Sequence, residues 1–179
     1  MQAVILAGGK GTRLGGLTKT TPKPMLVVNK KPFLEHLLIN LKSNGIKDIV
    51  VCAGYLAHKI KDYFRDGSRI GVRIRYSVED KLLGTGGALR KAEIFLNQNF
   101  ILLNGDTYIP IDYKSLWKHF KQLDKVGLVV VRKQSGNISV KGILITKYDK
   151  SGKSENLEFT DAGVQVFKKK ILKFIMPNQ

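Results

Sequence analysis

Cysteine is nearly absent from the sequence. The single Cys52 excludes an internal disulfide framework, and its neighbours in DIVVCAG indicate a thiol buried in a strand. No apolar run approaches the roughly 20 residues that a membrane-spanning helix needs. The apolar N-terminal stretch MQAVILAGG is too short for a signal peptide and lacks a basic leader. No serine stands in a nucleophile-elbow context, and no set of histidine, cysteine and acidic residues has zinc-site spacing. We therefore expect a reduced, cytoplasmic protein without a membrane span, a zinc site or a covalent intermediate.

Acidic residues are also scarce, with 14 Asp and Glu against 31 Lys and Arg, which gives a formal net charge of +17. Such a balance is compatible with a nucleic-acid surface, an anionic membrane, a phosphorylated substrate or an ordinary solvated surface. The lysines are scattered and do not form one dense arm with interleaved aromatic residues, as a nucleic-acid stripe would. The pattern favours a solvated surface, or a field that attracts polyphosphate, and we expect no nucleic-acid partner.

Short apolar runs alternate with amphipathic segments along the chain. The runs predict strands at 3–8, 47–54, 72–79, 99–106, 126–133, 138–149 and 162–167. The amphipathic segments predict helices at 32–45, 55–64, 86–96 and 113–124, the last capped by Asp112, and a further helix from 168. This alternation predicts a single domain over 1–179. Its fold class is α/β, a three-layer α/β/α Rossmann-like domain with a mostly parallel, mixed central sheet.

The loop after the first predicted strand is rich in glycine and cations. In folds of this class the site lies beyond the carboxyl ends of the strands, which indicates loops 8–25, 54–55, 79–87 and 104–108. Gly8, Gly9 and Gly11 can bring backbone N–H groups close to an anion. The spacing fits neither the phosphate loop of nucleoside triphosphatases nor the dinucleotide fingerprint, so the glycines alone indicate only a phosphate-binding turn.

Three charged residues make this interpretation more specific. The planar guanidinium of Arg13 can donate paired hydrogen bonds to phosphate oxygens. Lys23 stands between Pro22 and Pro24, which restrict the backbone toward extended conformations and limit where the ammonium points. Asp106 ends a buried strand after Gly105, and Mg²⁺ prefers one or two carboxylates together with phosphates and water. Asp112 precedes a helix and is expected to act as its cap, not as a second metal ligand.

These motifs resemble a known family. LAGGKGTRLGGLT followed by TPKPM resembles the signature of the sugar-1-phosphate nucleotidyltransferases, and YSVEDKLLGTGGAL and LNGDTYI resemble the family's later motifs. The similarity covers roughly residues 2–132 and is greatest to the heptose-1-phosphate and mannose-1-phosphate guanylyltransferases. It implies a Mg²⁺-dependent enzyme that condenses a nucleoside triphosphate, GTP as the first candidate, with a heptose- or mannose-type sugar 1-phosphate. The products are a nucleoside-diphosphate sugar and pyrophosphate, and a homo-oligomer is compatible with this assignment.

The resemblance also implies roles for individual residues. Arg13 and Lys23 would be catalytic, with Arg13 on the departing β- and γ-phosphates and Lys23 on the α-phosphate, and Asp106 would bind Mg²⁺. Asn104, Asp161 and Gly163 would contact the sugar phosphate. Glycines and loop residues would bind the nucleotide: Leu6, Ala7, Gly8, Gly9, Gly11, Thr12, Arg13, Lys23, Gly54, Glu79, Gly84, Thr85 and Gly87.

The last third of the chain departs from the family pattern. Members carry a Glu-Lys pair before a late strand, for which Lys153 is the nearest equivalent, and they have asparagine where this chain has Asp161. They also continue to a segment that holds a second Mg²⁺-binding aspartate, whereas this chain ends at KKKILKFIMPNQ. We therefore expect a family domain that is missing or shortened at its C-terminal part, with activity in doubt. The alternatives are a truncated chain, a short variant completed by a partner subunit, or a catalytically inactive nucleotide-sugar binding or regulatory subunit.

Overall fold

A seven-stranded mixed sheet organises the protein. The structure is a computed structural model that describes residues 1–149, 151, 154 and 156–176. Its strands are β1 (Gln2–Ala7), β2 (Val27–Val28), β3 (Lys31–Pro32), β4 (Asp48–Ala53), β5 (Arg73–Val78), β6 (Asn99–Asn104), β7 (Gly127–Lys141), β8 (Leu144–Tyr148) and β9 (Phe159–Lys168). The helices are α1 (Phe33–Ser43), α2 (Ala57–Phe64), α3 (Gly84–Lys91) and α4 (Tyr113–Gln122). The large sheet has the order β5-β4-β1-β6-β9-β7-β8, and β2 pairs with β3 in a small hairpin.

The first half of the sheet is parallel and the second half is antiparallel. Strand β1 pairs in parallel with β4 and β6, and β4 pairs in parallel with β5. Strand β9 runs antiparallel to both β6 and β7, and β7 runs antiparallel to β8. Of the parallel strands, β1, β4 and β6 are apolar in their interiors because helices cover both of their faces. The sequence-based expectation of a mixed sheet is confirmed, although its parallel part extends only from β5 to β6.

Helices pack on both faces of the sheet and make the expected three layers. Ala3 and Ile5 of β1 face a cluster that includes buried side chains of α1, α2 and α4. Val4, which alternates with them, faces a second cluster with Ala88 and Leu89 of α3. None of the helices within the described ranges combines the length and the apolar composition that crossing a bilayer requires.

Two C-terminal elements differ from the sequence-based prediction. Strand β7 joins the predicted segment 126–133 to the start of the predicted segment 138–149, and the rest of that second segment contains β8. The pairing of β7 with β9 shifts register at Val129/Val131 and Lys133/Ile138. After β9 the chain forms a 3-10 turn at Lys169–Phe174 in place of the predicted helix. The Lys169 amide donates to the carbonyl of Gln98 at 2.7 Å, and Leu172 is buried against the sheet. These contacts hold the chain to the sheet where an α-helix was expected.

Asp112 caps α4, as the sequence predicts. Its Oδ1 accepts hydrogen bonds from the amides of Lys114 at 2.9 Å and Ser115 at 3.1 Å, and its Oδ2 accepts one from the Ser115 hydroxyl at 2.7 Å. The hydrogen bonds from Ser115 hold the pKa of Asp112 below its usual value. Both carboxylate oxygens of Asp112 thus accept hydrogen bonds from the first turn of α4, and the residue acts as the N-cap.

We expect Asp112→Ala to lower the melting temperature by about 2–4 °C, because two amides at the start of α4 lose their acceptor. Thermal unfolding followed by circular dichroism measures the effect. The matched control is Asp62→Ala, which removes an exposed aspartate from the interior of α2 and should cause no such fall. An equal fall in both variants would contradict the capping role of Asp112.

Candidate active site

A crevice opens at the carboxyl ends of β1 and β6, where the sequence predicts the site. Its volume is about 750 Å³. It collects residues from the glycine-rich loop, the Lys23 turn, the start of α3 and the end of β6. The lining residues are Leu6, Ala7, Gly9, Gly11, Thr12, Arg13, Leu14, Lys23, Pro24, Thr85, Asn104, Gly105 and Asp106.

The glycine-rich loop turns at Gly11, which adopts a left-handed conformation with φ of 65°. A Cβ at this position would lie 3.0 Å from Cγ2 of Thr18 and 3.1 Å from Cβ of Lys23. The buried Thr18 hydroxyl donates a hydrogen bond to the Gly11 carbonyl at 3.2 Å, which links the two ends of this part of the loop. Glycine at this position therefore lets the loop and the Lys23 turn pack directly together. Arg13 is exposed on the rim, and its guanidinium forms no hydrogen bond or ion pair with the described residues.

Lys23 and Asp106, which lie 83 residues apart in the sequence, meet in the crevice. The Lys23 Nζ atom lies 2.6 Å from Oδ2 of Asp106, and the two side chains are 38% and 39% exposed. Lys23 begins a 3-10 turn, Lys23–Met25, which is anchored by the burial of Pro24 and Met25. The expected extended backbone is thus replaced by a tight turn. The backbone of Lys23 is restrained, but the restraint comes from this turn and its two buried residues and not from an extended conformation between the prolines.

Gly105 brings Asp106 against the end of β1. Its amide donates to the carbonyl of Leu6 at 2.8 Å. A Cβ built on Gly105 would lie only 2.7 Å from that same carbonyl oxygen and 3.3 Å from Cγ2 of Ile5. Any side chain here would have to push the turn away from β1, so the position of Asp106 depends on this glycine.

We expect Gly105→Ala to lower the free energy of unfolding by about 1–3 kcal/mol, because the added methyl group meets rigid backbone. Chemical denaturation measures this quantity. Gly9→Ala is the control, since a Cβ at Gly9 meets nothing within 4 Å. If the two variants have the same stability, the close approach of Gly105 to β1 does not constrain the turn.

A second recess of about 250 Å³ adjoins the crevice and contains Glu79. Glu79 is 8% exposed, and its Oε2 accepts a hydrogen bond from the amide of Leu83 at 3.0 Å, just before α3 begins at Gly84. Burial and the charge of Glu79 raise the pKa of the Cys52 thiol to about 12, so Cys52 is the buried, unreactive thiol that the sequence indicates. The residues that line the recess are Leu6, Gly8, Gly9, Cys52, Glu79, Leu82, Gly84, Thr85 and Ala88.

Gly54 joins the second-strand loop to the glycine-rich loop. The amide of the following residue, Tyr55, donates to the Gly8 carbonyl at 3.1 Å. Gly54 also lines a shallow recess with Lys10, Tyr55 and Glu79. Its backbone therefore supports the loop that carries Gly8 and Gly9.

A third recess, of about 340 Å³, extends the crevice toward β7 and β9 and contains Asn104 and Asp161. Gly163 lies beside it, and a Cβ built there would be 3.0 Å from Nδ2 of Asn104. Tyr148 and Gln165 also line this recess, and neither was predicted from the sequence. The alternation of side chains in β9 could have indicated Gln165, because it shares a face with Asp161. No local signal could have indicated Tyr148, which comes from a different strand.

One of the predicted nucleotide-binding residues does not line these spaces. Gly87 lies within α3 and is not among the residues that line the crevice or its recesses. Lys153 lies outside the described residues. The predicted position of Asn104, Asp161 and Gly163 beside one another agrees with the geometry, and their contact with a sugar phosphate stays a prediction.

The donor set near Asp106 fits Mg²⁺ bound together with phosphates. Within the described ranges, no group of three or more histidine, cysteine or acidic side chains could enclose a metal ion. Mg²⁺ seldom uses such a cage, and it is commonly held by one or two carboxylates while phosphate oxygens and water complete its shell. The Asp106 carboxylate is 39% exposed and lines the crevice of about 750 Å³, which is compatible with that mode of binding.

Comparisons with known proteins indicate one family. Residues 2–177 match the family described as nucleotidyl transferase. The chain is 41% identical over 149 residues to D-glycero-alpha-D-manno-heptose 1-phosphate guanylyltransferase from Campylobacter jejuni, covering 78% of this chain and 67% of that protein. It is 32% identical over 203 residues to UTP–glucose-1-phosphate uridylyltransferase from Synechocystis sp., covering 100% of this chain and 52% of that protein. It therefore spans between about half and two thirds of these relatives.

A solved structure agrees with these matches. The crystal structure of HddC from Yersinia pseudotuberculosis complexed with GMP-PN superimposes with a TM-score of 0.83 at 29% identity. The superposition covers 99% of this chain and 81% of that chain. The mixed sheet and its helices are thus those of a known α/β architecture.

Proposed function

The chain belongs to the nucleotidyl transferase family, and we propose that it condenses a nucleoside triphosphate with a sugar 1-phosphate. A phosphate oxygen of the sugar 1-phosphate forms a bond to the α-phosphorus. The bond from the α-phosphorus to the oxygen that bridges to the β-phosphate breaks, and pyrophosphate leaves with the electron pair. The observation that carries this proposal is the meeting of the Lys23 ammonium and the Asp106 carboxylate, 2.6 Å apart, beside the glycine-rich loop.

The chain's own residues supply alignment and charge. Gly9 and Gly11 line the crevice, and their backbone amides would bind phosphate oxygens. Lys23 would neutralise the negative charge that grows on the α-phosphate, and Arg13 would hold the departing pyrophosphate. Reactions of this class need little more from a protein than positioning and charge stabilisation.

Asp106 would hold Mg²⁺, with the remaining ligands coming from phosphate and water. When bound, the ion would neutralise phosphate charge and help to orient the reacting groups. The Lys23 ammonium contacts Oδ2 of Asp106, so Lys23 and a metal ion would compete for this carboxylate.

For the substrates we propose GTP with a heptose- or mannose-type 1-phosphate. The relative from Campylobacter jejuni is a guanylyltransferase acting on a heptose 1-phosphate, which supports this choice. The relative from Synechocystis uses UTP and glucose 1-phosphate, so UTP is the second candidate for the nucleotide. The recess beside Glu79, between the glycine-rich loop and α3, would take the base.

The test is pyrophosphate release with each nucleoside triphosphate, paired in turn with heptose, mannose and glucose 1-phosphates, with and without Mg²⁺. We expect the fastest release with GTP and dependence on the metal. No release with any pair would contradict the proposed transferase. Stabilisation by a nucleotide-sugar in a thermal shift assay, without turnover, would instead indicate an inactive binding protein.

A further inference from the structure

The third recess holds an acidic side chain surrounded by neutral donors. Oδ2 of Asp161 accepts hydrogen bonds from the Tyr148 hydroxyl at 2.8 Å and the Gln165 amide at 2.7 Å. Its Oδ1 accepts one from the amide of Gly163 at 2.7 Å. Burial and the hydrogen bond to Asp161 raise the pKa of Tyr148 to about 12, so the phenol stays a neutral donor near pH 7. These three hydrogen bonds therefore fix the position of the Asp161 carboxylate, and none of the three donors carries a positive charge.

No cation compensates this charge within the described part of the chain. The ion pairs there do not include Asp161. The other residues that line the recess are neutral: Leu6, Thr85, Asn104, Val129 and Phe167. A carboxylate has about four acceptor positions, of which three are used, so about one acceptor position remains for a donor on a ligand.

The recess and the main crevice differ in charge although they are continuous. They share Leu6, Thr85 and Asn104. The crevice carries the Arg13 and Lys23 cations and the Asp106 anion, whereas the described residues that line the recess carry one charged group, the Asp161 carboxylate. A sugar 1-phosphate that extends across both would place its phosphate by the cations and its ring beside the carboxylate.

We propose that Asp161 selects sugar 1-phosphates by the charge of the sugar ring, accepting neutral or amino-substituted rings and rejecting rings that carry a carboxylate. This inference rests on the proposed function. A hydroxyl or ammonium group on the ring can donate to the remaining acceptor position, whereas a ring carboxylate faces a like charge with no cation beside it. At a separation of several Å near a protein surface, such repulsion corresponds to roughly a tenfold loss of affinity or more.

The first experiment uses the native protein and three sugars of similar size. Dissociation constants for mannosamine 1-phosphate, mannose 1-phosphate and mannuronic acid 1-phosphate are measured by isothermal titration calorimetry. We expect affinity to fall in that order, with at least about a tenfold difference between the neutral and the acidic sugar. This measurement needs no variant and no turnover.

The second experiment removes the charge and keeps the shape. In Asp161→Asn, the carbonyl oxygen can still accept from the Gly163 amide, and the new NH₂ group can donate to Tyr148 or to a rotated Gln165 amide. We expect the ratio of neutral to acidic sugar affinity to fall toward one. The matched control is Asp62→Asn, which removes the same charge from α2 on the opposite face of the sheet and should keep the native ratio.

The outcomes separate this inference from the function on which it rests. Equal affinity of the native protein for neutral and acidic sugars would overturn the charge selection and leave the transferase proposal standing. An unchanged ratio in folded Asp161→Asn would show that Asp161 does not cause the selection, and would also overturn it. If none of the three sugar phosphates binds, the proposed function itself fails, and the inference fails with it.

Discussion

Replacing Lys23 by methionine should lower the rate of pyrophosphate release by about 10²- to 10³-fold, because a charge aimed at the reacting phosphate is lost. Methionine keeps the length and the apolar part of the side chain but removes the ammonium. The turn that holds Lys23 depends on the burial of Pro24 and Met25, so its backbone should persist in the variant. Initial rates with saturating substrates and Mg²⁺ measure the effect.

The control for this prediction is Lys19→Met. Lys19 is an exposed lysine of the same loop, and it uses its backbone in its hydrogen bonds with the Tyr55 hydroxyl and the Gly16 carbonyl. This variant loses the same charge close to the crevice but should keep a rate near the native value. If both variants lose rate equally, the rate depends on the total positive charge of the loop and not on the position of the Lys23 ammonium.

Because Lys23 pairs with Asp106, we expect Lys23→Met to raise the affinity for a metal ion while it lowers the rate. The Lys23 ammonium pairs with the carboxylate that would hold a metal ion. Lys23→Met should therefore bind Mn²⁺ more tightly than the native protein in the absence of nucleotide, as measured by electron paramagnetic resonance titration. Because more than a third of each side chain is exposed, the pair itself should contribute only about 0–1 kcal/mol to stability.

The part of the fold that the sequence predicts best is the parallel half of the sheet. Strands β1, β4 and β6 are short runs that are apolar except at their end residues, and this pattern follows from burial on both faces by helices. Once these strands are parallel, their carboxyl ends must share an edge, so loops distant in sequence converge there. The meeting of Lys23 and Asp106 could be anticipated from that rule. The capping role of Asp112 could be predicted as well, because its partners are only two and three residues away.

The features that the sequence could not predict depend on pairing between distant segments. Strand β7 continues through Gly136 because its antiparallel partner β9 is available along most of its length, whereas the isolated sequence resembles two strands with a break. The hydrogen bond from Tyr148 to Asp161 depends on β7 pairing with both β8 and β9. The Lys23 turn forms although the flanking prolines favour extended backbone, because burial of Pro24 and Met25 stabilises it.

Asp106→Asn should reduce Mg²⁺-dependent pyrophosphate release by about 10²- to 10⁴-fold, since loss of a metal ligand removes several kcal/mol of charge stabilisation. Asparagine keeps the shape of the side chain, and the carboxylate is 39% exposed, so the free energy of unfolding should stay close to the native value. Chemical denaturation tests that expectation, and Asp62→Asn serves as the control for loss of an exposed negative charge elsewhere.

Metal binding distinguishes the roles of the two residues even if both substitutions abolish turnover. With a non-hydrolysable triphosphate present, Asp106→Asn should bind Mn²⁺ more weakly than the native protein does, because Asp106 is the one carboxylate among the described residues that line the crevice. In the absence of nucleotide, Lys23→Met should bind Mn²⁺ better, because it frees the Asp106 carboxylate. If Asp106→Asn binds Mn²⁺ as the native protein does, Asp106 does not bind the metal and only pairs with Lys23. Opposite effects of the two substitutions on metal affinity, with loss of rate in both, are expected only if the ammonium and the metal compete for one carboxylate.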